Sequence, residues 1–341
     1  MYTSHGSSPD TNRWRNIVTA CVLILILLGS FLYSRIERED FIAFKDTLLV
    51  PQDFSLLVLS DSVGGDAVFE PEPLRIPTLS ASSTPLDPAQ FSAKYMLVKD
   101  GETGTVLFSK DPYITHPIAS ITKLMTALVL LEYEPDWATT TVVIGPDTLD
   151  THVYAGEVYR LGNLWHTMLI ASSNKAAMSL VHAFSTEEEF VARMNERAKE
   201  LGMSDTTFVD VTGIGEGNIS SASDSIILLH EALRLEDIRE VITLPEYTLY
   251  STVKKKNHHM WSTNWFLLNN PQPWIYHDFD VIIGGKTGHI SVAGFNFVVE
   301  VEKNKHPIDI VVFGAVSNET RFTEARDVGE WVYENFVWPT N

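Results

Sequence analysis

Ser120 and Lys123 open an apolar stretch, ITKLMTALVLL over residues 121–131, in which Lys123 is the only charged side chain. A run that is apolar on nearly every side reads as a helix buried inside a domain. An ammonium there is costly unless it is paired or gives up its proton, so burial should depress the lysine pKa and leave a neutral amine, which is a base. Positions i and i+3 share a helix face. Lys123 therefore stands one turn beyond Ser120 and within reach of its hydroxyl, the pairing of base and nucleophile that covalent catalysis needs. Taken alone, the string fits equally well an N-cap serine followed by a lysine that snorkels to solvent.

A second string, Ser172-Ser173-Asn174, lies between the helix-like LGNLWHTMLIA and a restart at Lys175-Ala176-Ala177-Met178. Two side chains at such a corner can enter one cleft, Ser172 to relay a proton and Asn174 to hydrogen-bond a substrate amide. Ordinary turn chemistry uses the same residues. A third string, Lys286-Thr287-Gly288, sits in the strand-like VIIGGKTGHISVAGFNFVVEVEKN. Glycines in a strand suggest close approach of another backbone, as when a peptide is laid along a sheet edge, and Lys286 adds positive charge for a carboxylate. A phosphate loop does not fit, because G-x-x-x-x-G-K-[ST] is absent and no helix follows.

In this order S-x-x-K, S-x-N and K-T-G form the motif set of penicillin-interacting active-site serine enzymes. The stretch KYMLVKDGETGTVLFSKDPYITHPIASITKLMTALV resembles the opening of the serine-type D-alanyl-D-alanine carboxypeptidases, the low-molecular-mass penicillin-binding proteins. LGMSDTTFVDVTGI and the segment from Thr263-Asn264 to Leu267-Leu268 are similar to further landmarks of that family, and the likeness covers roughly residues 91–337. It implies Ser120 as nucleophile, Lys123 as its base, Ser172 and Asn174 as the second element, and Lys286, Thr287 and Gly288 on the substrate-binding strand. The oxyanion hole it implies is made by the main-chain N–H groups of Ser120 and His289. Two positions depart from the family pattern. Ser223 stands in Ser220-Ser221-Ala222-Ser223-Asp224 where the family carries arginine, and Lys175 stands where it carries an acid.

Residues 17–33, IVTACVLILILLGSFLY, carry no charge and are just long enough to span a bilayer. Arg13 and Arg15 precede them, no A-x-A site follows, and an uncleaved signal-anchor with residues 1–16 in the cytoplasm is the expectation. Residues 34–90, with Glu70-Pro71-Glu72-Pro73 and SASSTPLDPAQ, read as a mostly disordered extracytoplasmic tether. Residues 91–341 are left for one catalytic domain. The protein is thus expected at the cell membrane, anchored by its N-terminal helix. Cys21 is the single cysteine and lies in the apolar run, so the exported part holds no disulfide.

The net charge of −19 excludes nucleic acid as a partner, since phosphate binding needs a basic face. Lys254-Lys255-Lys256 is the one basic run and reads as a solvated hairpin tip. No H-x-x-x-H or cysteine cluster signals a metal, and no cofactor is implied. Trp261, Trp265, Trp274 and Tyr276 crowd the approach to Lys286 and suit either a sugar or peptide platform or core packing.

Strands are expected near Lys94–Lys99, Thr105–Ser109, Lys286–Gly288, Phe295–Glu302 and Asp309–Val316, with helices between the second and third and one after the last. Short connections indicate antiparallel pairing, hence an α+β architecture with helices on both faces of an antiparallel sheet, preceded by one transmembrane helix. The resemblance implies the penicillin-binding protein/β-lactamase-like transpeptidase fold. It also implies removal of the terminal D-Ala from peptidoglycan stem peptides through an acyl-enzyme on Ser120, with β-lactam antibiotics as covalent inhibitors. Two alternatives stand beside it. A β-lactamase-like hydrolase would need a deacylating base such as a glutamate in E-x-x-L-N, which is missing between the second and third motifs, and a silent wall-binding module would not need Ser120 and Lys123 intact.

Overall fold

The computed structural model describes residues 76–269 and 272–339. The apolar run 17–33, with the membrane-spanning expectation placed on it, lies outside the described residues, as does most of the 34–90 segment. Among the described residues no helix is long and apolar enough to cross a membrane.

The principal strands are β1 (Tyr95–Asp100), β2 (Val106–Lys110), β3 (Glu246–Ser251), β4 (Lys256–Trp261), β5 (Val281–Ile290), β6 (Gly294–Lys303) and β7 (His306–Ala315). Five of them form one sheet in the order β5-β6-β7-β1-β2, antiparallel throughout, while β3 and β4 make a separate hairpin. The helices are α1 (Thr122–Leu131), α2 (Leu161–Ile170), α3 (Asn174–His182), α4 (Glu187–Glu200), α5 (Ala222–Arg234), α6 (Glu236–Ile242) and α7 (Asn318–Asn335).

Side chains alternate across a strand, so a central strand whose two faces are both covered must be apolar at nearly every position. Leu97, Val298, Val311 and Phe313 join the core beneath α1 to α6. Their neighbours Met96, Val98, Phe297, Val299, Ile310 and Val312 join a second core with Phe322, Ala325, Val328 and Val332 of α7. The expected α+β arrangement, helices on both faces, follows from this double burial. K-T-G falls on β5, at one edge of the sheet. Residues 76–90, the end of the segment read as a tether, run beside α7: Thr78–Leu79 pairs with Phe336–Val337, and the N–H groups of Ser80 and Thr84 donate to Asn335.

Candidate active site

Ser120 is no N-cap. It lies in a 3-10 turn, Ala119–Ile121, that leads into α1, and no side chain caps that turn. The residue before it, Ala119, takes a left-handed backbone with φ of 51°, which costs a non-glycine residue about 1–2 kcal/mol. Two glycines hold the turn in that shape. A Cβ on Gly213 would sit 2.0 Å from the Ala119 carbonyl oxygen, and one on Gly288 would sit 2.3 Å from that of Ile118. The turn that carries Ser120 is thus seated between the loop after α4 and strand β5, both at backbone contact. Asn296 of β6 adds a bond from Nδ2 to the Pro117 oxygen at 2.8 Å.

Lys123 is fully buried. Its Nζ donates to Asn174 Oδ1 at 2.7 Å and to the Thr212 carbonyl oxygen at 2.7 Å, and lies 2.9 Å from Ser120 Oγ. Burial pushes it down to about 7, while the carboxylates of Asp210 and Asp150 work the other way. In the neutral amine, two N–H bonds are taken by the Asn174 and Thr212 oxygens. The lone pair is then left to face the Ser120 hydroxyl, an arrangement that can accept its proton.

Ser172 turns the corner between α2 and α3 with φ of 59°, again left-handed. The middle serine caps the next helix: Ser173 Oγ accepts from Ala176 N and donates to Asp150 Oδ2. Relieved of capping, Ser172 points its hydroxyl at Lys286, whose Nζ donates to Ser172 Oγ at 2.8 Å and to the Thr287 oxygen at 3.2 Å. Lys175, at the position where an acid was expected, is buried and ion-paired to Asp147 at 2.6 Å. Burial, reinforced by repulsion from Lys123 and Arg321, holds Lys286 well below the ordinary lysine range. Thr287 is buried beside it. The imidazole of His289 donates from Nδ1 to the Gly294 oxygen and stacks on Phe295, so what it can offer a substrate is its main chain.

The structure therefore brings Ser120, Lys123, Ser172, Asn174, Lys286, Thr287 and Gly288 together. Two further contributors lie outside the three motifs. Asp210 accepts from Thr212 N and Oγ1, Gly213 N, Gly215 N and Asn218 Nδ2, and so folds the loop that delivers the Thr212 oxygen to Lys123 and Gly213 to Ala119. Asp210 lies in VDVTGI, part of the segment similar to a family landmark. Arg321 of α7 lies behind β5 and donates from Nη1 to the oxygens of Gly288 and Asn296, at 3.2 and 3.3 Å. Burial lowers it to about 9. The spacing of the three motifs gives no sign of either residue.

Ser223 lies in the first turn of α5, where its N–H donates to the Pro112 oxygen; no cation occupies that position. Lys254 and Lys255 form the exposed turn between β3 and β4, with Lys254 over the Tyr154 ring. Trp265 stacks on Phe322 as core, whereas Trp261 is exposed.

A serine held by a strained turn, a buried lysine at its hydroxyl, a second Ser/Asn corner and a Lys-Thr-Gly sheet edge define a serine enzyme of the penicillin-binding protein fold. Residues 81–317 match the D-alanyl-D-alanine carboxypeptidase family of peptidases, and the chain belongs to it. It is 31% identical over 242 residues to a D-alanyl-D-alanine endopeptidase of Pseudomonas aeruginosa, with 69% of this chain and 76% of that protein covered. It is 28% identical over 255 residues to the D-alanyl-D-alanine carboxypeptidase DacF of Bacillus subtilis, covering 72% of this chain and 63% of that one. Penicillin-binding protein D2 of Listeria monocytogenes, solved with cefotaxime bound, superposes with a TM-score of 0.61 at 26% identity over 74% of this chain and all of that one.

Proposed function

We propose that the protein is a serine D-alanyl-D-alanine carboxypeptidase that trims peptidoglycan stem peptides through an acyl-enzyme on Ser120. The observation that carries this reading is the buried Lys123 amine with its N–H groups turned to Asn174 and Thr212 and Ser120 Oγ as its third neighbour. Lys123 takes the hydroxyl proton as Ser120 Oγ bonds to the carbonyl carbon of the D-Ala-D-Ala amide, and the main-chain N–H groups of Ser120 and His289 receive the oxyanion. The C–N bond breaks, the leaving amine takes a proton through Lys123 and Ser172, and water later hydrolyses the ester. The open edge of β5 suits an extended peptide, and Lys286 its carboxylate.

A second reading, cleavage of a D-alanyl bond inside a cross-link, is favoured by the missing arginine at Ser223 and by the endopeptidase named above. The full-length chain incubated with diacyl-L-Lys-D-Ala-D-Ala should release free D-Ala. Monomers from a cross-linked dimer, without free D-Ala, would instead support the endopeptidase. A protein inert to both substrates and to penicillin would be a silent module. We also propose that residues 17–33 hold the chain in the cell membrane with the enzyme outside; recovery of a soluble product beginning after Tyr33 would overturn that.

A further inference from the structure

On the face of the sheet that meets α1 to α6, the core row of Val298, Val311 and Leu97 gives way, two residues along each strand, to Glu300, Asp309 and Lys99. Glu300 pairs in register with Asp309, and Asp309 with Lys99, so these charges form a row across β6, β7 and β1. His230 of α5 comes down on them, its Nε2 2.7 Å from Asp309 Oδ2. The Asp309 side chain is wholly buried, yet neither of its oxygens has a hydrogen-bond partner of acceptable geometry. Beyond that ill-aligned contact with His230 the desolvated carboxylate has no partner, an expensive state that natural structures rarely keep without a reason.

We propose that His230, Glu300 and Asp309 form a binding site for one divalent transition-metal ion, Zn2+ or a close analogue. One ligand atom from each lies within 4.8 Å of the other two. Tetrahedral bonds of about 2.0–2.1 Å set such atoms roughly 3.3 Å apart. Reaching that spacing asks His230 to withdraw slightly and Glu300, which is only partly buried, to turn inward. Imidazole with two carboxylates is a borderline donor set, suited to zinc rather than to calcium or magnesium. Two carboxylates and a neutral imidazole balance the ion's two charges. Without an ion the two carboxylates, paired in register on adjacent strands, face one another uncompensated. Lys99, the cation of the row, stands in register beside Asp309 and is only partly buried. A cleft of about 370 Å³, lined by Gly101, Leu233, Arg234, Arg239 and Ile283 besides His230 and Glu300, opens onto two of the three ligands. None of the three ligands touches Ser120, Lys123 or Lys286, so the ion would clamp α5 to the sheet rather than enter the peptidase chemistry.

The test uses the full-length chain stripped with EDTA, titrated with ZnCl2 against a chromophoric chelator and separately with CoCl2 by visible absorption. One equivalent of Zn2+ should bind, and His230→Gln and Glu300→Gln should each weaken it by about tenfold or more. Both variants should still be acylated by penicillin at Ser120, which shows that they fold. Failure to bind at micromolar free zinc would overturn the proposal. So would binding unchanged in both variants, or binding abolished by His152→Ala with His258→Ala, whose ring nitrogens lie 3.3 Å apart.

Discussion

The backbone of Gly213 lies against the carbonyl of Ala119 so closely that a side-chain carbon on the glycine would come within 2.0 Å of that oxygen. Gly213 itself has φ of 87°, a region open to glycine and strained for other residues. The contact sets the position of Ser120 from outside its own helix. Gly213→Ala should therefore displace the Ala119–Ser120 turn and slow acylation by a fluorescent penicillin about 100-fold or more. Unchanged labelling kinetics would show that the turn is held by other means.

Ser120→Ala should abolish both D-Ala release and the penicillin adduct. Among the described residues the hydroxyl is bonded only to Lys123, so its loss should change stability by no more than about 1 kcal/mol. Circular dichroism and urea unfolding check the fold, and residual turnover would remove Ser120 from the mechanism.

Lys123→Arg should be nearly as damaging as Lys123→Ala, each losing about 100-fold or more, because a guanidinium stays protonated and cannot act as the base. Substantial turnover by the arginine variant would exclude the amine as the proton acceptor.

The rate of penicillin acylation should rise with pH along a limb centred near 7, the value to which burial pushes Lys123. Asp210 raises that value, so Asp210→Asn, which keeps an oxygen for the loop N–H groups, should move the limb to lower pH. A limb that stays in place would show that Asp210 serves the loop's shape alone. Stability carries the same signature. The folded value lies below the ordinary 10.5, so between about 7 and 10.5 the unfolded chain holds more protons and stability rises with pH. Urea unfolding at several pH values should give a shallower rise for Lys123→Met than for the parent.

Benzylpenicillin should leave a persistent adduct of one molecule on the peptide that contains Ser120. No carboxylate among the described residues hydrogen-bonds Ser120, and Asp210 and Asp150 are both engaged in holding backbone and side chains. Water therefore has no dedicated base, and the ring-opened fragment stays in its path. Intact-mass spectrometry reads the result, and rapid loss of the adduct with catalytic consumption of penicillin would favour a β-lactamase.

Local order was legible in the chain because it depends on near neighbours. The i, i+3 spacing places Lys123 on the face of Ser120, the apolar residues 121–131 require its burial, and the strand-like, glycine-bearing run around Lys286 marks a strand. The five expected strands recur within a few residues of β1, β2, β5, β6 and β7 for the same reason. What completes the site comes from far along the chain. The Asn174 and Thr212 oxygens reach Lys123 from 51 and 89 residues on, and Ser172 meets Lys286 across 114. The Thr212 oxygen belongs to the main chain, which every residue has, so no residue type announces it. The same holds for His230, Glu300 and Asp309, which have no motif spacing and meet only because strand register and the seating of α5 bring them together. Side-chain periodicity fixed which residues face inward, and the packing of helices and loops against the sheet decided which of those inward groups touch.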